Sequence, residues 1–235
     1  GSSRFPGKPL KEINGIPMIK IIYDEAIKNK NLDDVVVATC DKIIFDYVKS
    51  FHGNVIITKK THTRATERTA EAIRLWEKKT KKKYSIVVMI QGDEPMLHYK
   101  MIDMAIKPFK NKSVKVVNLM SKIKNDELMH DKNCIKIIKD KNNNAIYFSR
   151  SPIPEGENEI KKFNRHIGVY AFRKNTLINF SSLNRSKNEI SQNLEGNRAI
   201  DNLIPIKMIK IDFHGISIDT KKDFIDAEKY LSKNA

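Results

Sequence analysis

The chain has 235 residues, 40% of them hydrophobic, which suits one α/β domain with an appendage or two small domains. Its apolar runs are far too short to cross a bilayer, so membrane insertion is excluded, and with no apolar leader ahead of the first motif, export is not expected. The formal net charge of +16 raises the question of a nucleic-acid partner. The excess is mostly lysine, however, spread along the chain beside Asn and Ile, as on the solvated helix faces of an AT-rich composition. The one dense run, Lys78 to Lys83, sits at a helix end, where cations complement the dipole. No aromatic residues are interleaved there for base stacking, so no nucleic-acid partner is expected. Cys40 and Cys134 lack metal-ligand spacing and read as reduced thiols of a cytoplasmic protein.

The chain opens on a loop rich in Gly, Ser and Pro that carries Arg4 and Lys8, residues suited to neutralising phosphates approached by backbone N–H groups. In such folds a phosphate loop hangs off a first strand, so the natural chain is expected to extend upstream of Gly1. A helix follows over Ile16 to Ala26, with Pro17 in its first turn. A buried strand at Asp34 to Thr39, a helix at Asp41 to Phe51 and a strand at Asn54 to Thr58 come next. A polar loop then leads to a helix over Glu67 to Lys79, with Thr66 as its expected N-cap and Arg64 and Arg68 flanking it. Ile86 to Ile90 is an unbroken, β-branched run of the kind buried on both faces of a parallel sheet. It turns abruptly polar at Gln91-Gly92-Asp93-Glu94-Pro95, which places Asp93 at the strand end where open α/β sheets bind ligands.

The alternation of strands and helices predicts a doubly wound, mainly parallel sheet. Beyond it lie a helix at Tyr99 to Phe109, a strand at Ser113 to Met120, and two short strands around an Asn-rich turn between Asn133 and Arg150. Arg165 to Arg173 reads as a strand on which His166 and Tyr170 are either structural or binding residues. A helix near Lys174 to Phe180 and another over Asn188 to Ile200, carrying Glu195 and Arg198 one turn apart, precede a strand at Pro205 to Ile211. Near the C-terminal helix, Lys222 to Leu231, Asp219 reads either as its cap or as a second carboxylate that holds a metal with Asp93. A basic loop suits a triphosphate, and two isolated carboxylates suit Mg²⁺, which needs few protein ligands beside phosphate oxygens. Arg150, Arg165, His166 and Tyr170 suit an anionic, hydroxyl-rich co-substrate. Together they describe nucleotidyl transfer, in which the protein positions groups and stabilises charge.

Seven segments, in order, resemble the 3-deoxy-manno-octulosonate cytidylyltransferase (CMP-Kdo synthetase) family over nearly the whole chain. They are Ser3 to Leu10, Thr66 to Arg68, Gln91 to Pro95, Tyr147 to Pro154, Arg165 to Tyr170, Leu194-Glu195 with Arg198, and Ile218 to Thr220. The resemblance implies a nucleotide-diphospho-sugar transferase-like, Rossmann-like fold with a β-rich arm that helps form a homodimer. Residues 1–122 and 190–235 would form the nucleotide-binding core of a single cytidylyltransferase domain, and about 133–188 the sugar-binding and dimerisation part. It implies CMP transfer from CTP to an anionic 3-deoxy-ulosonic acid, with Arg4 and Lys8 on the phosphates and Asp93 and Asp219 on Mg²⁺. Gln91, Arg64, Ala65 and Thr66 would lie beside the cytidine, and Arg150, His166, Tyr170 and Glu195 would hold the sugar acid. Lys8, Asp93 and Asp219 would be the catalytic set. The chain departs from the family pattern at Arg64-Ala65, where Ser-Gly is usual, and at Gly196-Asn197, where Gln-Leu is usual and one side chain contacts the sugar. Two alternatives stand beside Kdo: a related acid such as 8-amino-Kdo or a nonulosonate, and a non-catalytic domain that binds nucleotides or RNA through its lysines.

Overall fold

The computed structural model describes residues 7–123, 126–154, 163–212, 218 and 220–233. The chain divides into two units, one of Gly1–Tyr84, Met89–Asp103 and Gly215–Ala235, the other of Ser85–Val88 and Met104–His214. In the first unit a short 3-10 turn, Lys8–Leu10, leads into a hairpin of β1 (Glu12–Ile13) and β2 (Ile16–Pro17). Its two turn residues, Asn14 and Gly15, have φ of 52° and 76°, the positive values a tight hairpin turn requires. Pro17 therefore ends a strand and serves as the N-cap of α1 (Met18–Ile27), outside the first turn where its φ preference alone would put it. Met18, Ile22 and Ala26, four residues apart, are the buried face of that helix.

β3 (Val37–Thr39) begins later than expected from the apolar run, and Asp41 caps α2 (Lys42–Ser50) by accepting the Ile43 N–H at 2.9 Å. β4 (Val55–Ile57) lies parallel to β3, and α3 (Ala65–Thr80) follows. The boundary between the units passes through β5 (Ile86–Ile90) and α4 (Tyr99–Ile106). Within the first unit, buried Asn29 donates to the Tyr99 carbonyl at 2.9 Å and to Asp103 Oδ1 at 2.8 Å, tying the end of α1 to the start of α4.

The second unit contains β6 (Val116–Lys122), α5 (Asp126–His130), β7 (Lys136–Lys139), β8 (Ala145–Ser149), β9 (Asn164–Arg173), α6 (Lys174–Ser181), α7 (Lys187–Gln192), α8 (Glu195–Asp201) and β10 (Ile206–Lys210). The sheet runs β10-β6-β9-β7-β8, and β5 also pairs with β9. β10 is parallel to β6, whereas β9 is antiparallel to both β6 and β7. β6 is buried from Val116 through Ser121 and β9 from Ile167 through Phe172, the mark of strands covered on both faces. The expected helix over Asn188 to Ile200 is two helices, broken where Asn193 takes a left-handed φ of 55°. The last helix, α9 (Lys221–Lys233), belongs to the first unit, where Ser232 Oγ donates to Asn14 Oδ1 at 2.8 Å. The α/β class is as expected. Both cysteines are free, and among the described residues no helix is long and apolar enough to cross a membrane.

Candidate functional site

In the first unit three segments distant in sequence meet at one ammonium. Lys8 follows Gly7, whose φ of 69° favours glycine, and is only 5% exposed. Its Nζ donates to Asp93 Oδ2 at 2.9 Å and to the Ile218 carbonyl at 2.5 Å. The Ile218 N–H donates in turn to the Asp93 carbonyl at 2.9 Å. Asp93 hangs from the polar turn after β5, where Gln91's carbonyl accepts the Glu94 N–H at 3.3 Å. The Asp93 side chain keeps 25% exposure, and its Oδ1 has no hydrogen-bond donor among the described residues. A partly exposed carboxylate with one oxygen left for another ligand fits a hard divalent cation that takes its other ligands from phosphate and water. Arg4 and Asp219 lie outside the described residues.

The loop before α3 is fixed by charged residues of that helix. Arg64, not Thr66, is the N-cap; Thr66 is buried inside the first turn, at 2% exposure. The reason is Glu67, whose carboxylate accepts the Thr63 N–H at 3.1 Å and the Arg64 N–H at 3.4 Å, so the helix starts earlier than expected. One turn on, Glu71 accepts the Lys59 N–H at 2.8 Å and lies 2.6 Å from His62 Nε2. Burial opposes its charge, but those two partners outweigh burial and hold its carboxyl below the ordinary range. Arg68 completes the clamp, donating to Thr58 Oγ1 at 2.5 Å, the Lys59 carbonyl at 3.3 Å and the His62 carbonyl at 3.4 Å. Ala65 is the first residue of the helix. Glu67 falls within the matching segment Thr66 to Arg68 without a role assigned to it, and its signal is its place three residues after the cap; Glu71 is not singled out by the sequence.

The second unit holds the other predicted group. Arg150, after β8, donates through Nε to the Gln192 carbonyl at 2.8 Å and through Nη1 to the Lys132 carbonyl at 2.9 Å. His166 and Tyr170 belong to a run of rings: Phe148–His166 centroids are 6.0 Å apart, His166–Tyr170 5.4 Å, Tyr170–Phe172 5.9 Å and Phe172–Phe180 6.4 Å. His166 keeps some accessible surface but is closely surrounded. Burial pushes its pKa down to about 4, and the positive charges of Arg150 and Arg165 add to this, so it is neutral at pH 7. Burial, then the Glu195 carboxylate, raises the Tyr170 phenol above its ordinary range.

Glu195 opens α8 and accepts from Arg198 Nη2 at 3.1 Å. Arg198, at 1% exposure, also faces Glu189 Oε2 at 3.3 Å, donates to the Leu183 carbonyl at 3.0 Å and lies 4.4 Å over the Phe180 ring. This buried cluster fixes the start of α8. Gly196 is packed so closely that a Cβ there would stand 2.6 Å from Phe148 Cε2. Asn197 is buried; its Oδ1 accepts the Phe148 N–H at 3.0 Å and its Nδ2 donates to the Phe148 carbonyl at 2.9 Å. The two residues of α8 that depart from the family pattern thus act together on β8.

Comparison with known proteins gives a consistent result. A sequence model of the cytidylyltransferase family matches residues 1–210. The 3-deoxy-manno-octulosonate cytidylyltransferase of Thermodesulfovibrio yellowstonii is 39% identical over 99% of this chain and 94% of its own length. The enzyme of the same name from Fusobacterium nucleatum subsp. nucleatum is 39% identical with the same coverage. Among solved structures, a CMP:2-keto-3-deoxy-manno-octonic acid synthetase complexed with CTP matches with a TM-score of 0.89 and 31% identity, covering 100% of this chain and 95% of the other. The 4-diphosphocytidyl-2C-methyl-D-erythritol synthase of Anaerococcus prevotii, at 17% identity and a TM-score of 0.66 over 95% of this chain and 93% of its own, shares the fold.

Proposed function

The chain belongs to the cytidylyltransferase family, among the 3-deoxy-manno-octulosonate cytidylyltransferases, and on that premise we propose that it transfers CMP from CTP to the anomeric hydroxyl of Kdo. The products are CMP-Kdo, for lipopolysaccharide biosynthesis, and pyrophosphate. The acceptor oxygen forms a bond to the α-phosphorus, the bond from that phosphorus to the bridging oxygen breaks, and the hydroxyl proton passes to solvent. The observation that supports this reading most is the meeting of Lys8, Asp93 and Ile218 in the first unit. Lys8, with Arg4, neutralises the phosphates, and Gln91 with Arg64, Ala65 and Thr66 borders the cytidine. The loop clamp of Glu67, Arg68 and Glu71 would hold that border still without touching the nucleotide. Arg150 takes the acid sugar's carboxylate, while neutral His166, the phenol of Tyr170 and Glu195 take its hydroxyls.

Asp93 and Asp219 are the residues that would hold Mg²⁺, which, when bound, supplies charge to the phosphate oxygens and lowers the pKa of an oxygen nucleophile. The active form is a homodimer in the cytoplasm, the compartment of CTP. A related acid sugar as acceptor is the second reading. It is favoured by Gly196, which has no side chain, and Asn197, whose amide is taken up by the Phe148 backbone, so neither offers a side chain to the sugar.

The test is pyrophosphate release with CTP, Mg²⁺ and Kdo, with ATP, GTP, UTP and 8-amino-Kdo in parallel. Asp93→Asn is expected to lose roughly 10³-fold in turnover with its circular dichroism unchanged. An Asp93→Asn chain that turns over normally, or a folded parent chain silent with every acceptor, overturns the reading.

A further inference from the structure

A further buried cation lies in the sheet of the second unit. Lys136, in β7, is fully buried, and among the described residues its partners are backbone carbonyls alone. Its Nζ donates to Asp131 O at 2.6 Å, Cys134 O at 2.9 Å and Arg150 O at 2.9 Å. Three acceptors match the three N–H bonds of an ammonium, whereas a neutral amine has only two to give. Burying that charge is costly unless its hydrogen bonds are complete, so the lysine and the carbonyls define one another's positions.

The three carbonyls are not scattered. Asp131 and Cys134 flank Lys132, whose carbonyl accepts from Arg150 Nη1 at 2.9 Å. The same ammonium therefore fixes Arg150 at two points: its backbone directly, and its guanidinium through the loop that receives it. A further turn contact, the Asn133 N–H to Asp131 Oδ1 at 2.8 Å, keeps that loop compact. We propose that Lys136 is a positioning residue for the acid sugar, holding Arg150 in the attitude that receives a carboxylate.

This rests on the reading of Arg150 as the carboxylate's partner, and the experiment separates the two. KM for Kdo and for CTP is measured for the parent chain, Lys136→Met, Arg150→Ala and the double variant. Lys136→Met is expected to raise the KM for Kdo roughly tenfold or more while the KM for CTP stays within about twofold. Acting through Arg150, it should add nothing to Arg150→Ala, so the double variant matches Arg150→Ala alone. Additive effects, or an unchanged KM for Kdo in Lys136→Met, overturn the proposal. An unchanged KM in Arg150→Ala overturns the prior reading instead.

Should Lys136→Met not fold, the parent chain carries the test through its pH profile. The groups facing Lys136 are Asp131, Cys134 and Arg150, with Arg165 opposite on β9. Burial lowers the Lys136 pKa, so more than half of the ammonium is gone by lysine's ordinary 10.5. The arginines do not titrate there, and burial pushes the Cys134 thiol up. The KM for Kdo should therefore rise on the alkaline side below pH 10.5. A flat profile up to that pH overturns the proposal.

Discussion

His166 shows how little a single residue's role depends on its own chemistry. An exposed imidazole would be half charged near pH 6.5; burial and two neighbouring guanidinium groups bring it down to about 4. At neutral pH it has one donor and one acceptor, a pairing that would suit a sugar hydroxyl under the proposed function, with the carboxylate then falling to Arg150. The same depression makes stability depend on pH. Between about 4 and 6.5 the unfolded chain binds a proton at this site that the native chain refuses. Stability from this group is therefore whole above pH 6.5 and is lost as pH falls toward 4. The full loss is about 3 kcal/mol at most. Urea midpoints measured across that window should fall with pH in the parent chain and flatten in His166→Gln. An unchanged slope in the variant would mean that other groups carry the acid sensitivity. The sequence offers His166 as a candidate because it shares a strand with Arg165 and Tyr170. It cannot show that Phe148, from another strand, meets the ring edge to face.

At the scale of elements, β8 and α8 are joined by a device that substitutes a side chain for a strand. Asn197 meets both polar groups of Phe148 with its amide, much as a neighbouring backbone would. Gly196 gives the Phe148 ring its room. Asn197→Leu, the family's usual residue there, should leave an N–H and a carbonyl unmet and cost about 2–4 kcal/mol in urea unfolding. Gly196→Ala should cost about 1–3 kcal/mol by forcing the ring aside. Losses below about 0.5 kcal/mol in both would show that β8 is secured elsewhere. Several element boundaries follow the same lesson. Asn14-Gly15 is a legible hairpin signal, masked by Pro17, which points to a helix start. Thr66 loses the cap of α3 to Arg64 because Glu67 reaches back to the backbone ahead of it. The break at Asn193 is not legible, since a left-handed Asn looks like any other polar residue in a helical pattern.

For the whole chain, the alternation of strands and helices makes the α/β class legible, and the switch from apolar to polar residues after Ile90 is enough to put Asp93 at a strand end. Strand order is not legible. That β9 runs antiparallel between β6 and β7, and that β10 joins β6, depends on pairings across 27 to 90 residues for which local periodicity carries no information. Charge belongs to this scale as well. The excess of 44 basic over 28 acidic residues acts on any anion that approaches, and it separates the enzymatic reading from a nucleic-acid one by its salt dependence. CTP is a polyanion and Kdo a single carboxylate, so screening should affect them unequally. Raising salt from about 50 to about 500 mM should lower kcat/KM for CTP by roughly tenfold and that for Kdo by less, with kcat nearly constant. An RNA-binding chain would instead show a linear fall of log affinity for RNA with log salt, steep in proportion to the phosphates it neutralises, and equally so in Asp93→Asn. Because the loss of Asp93 should cost turnover roughly 10³-fold in one case and change nothing in the other, the salt series on the parent chain and on Asp93→Asn decides whether the lysines assist a reaction or constitute the binding surface itself.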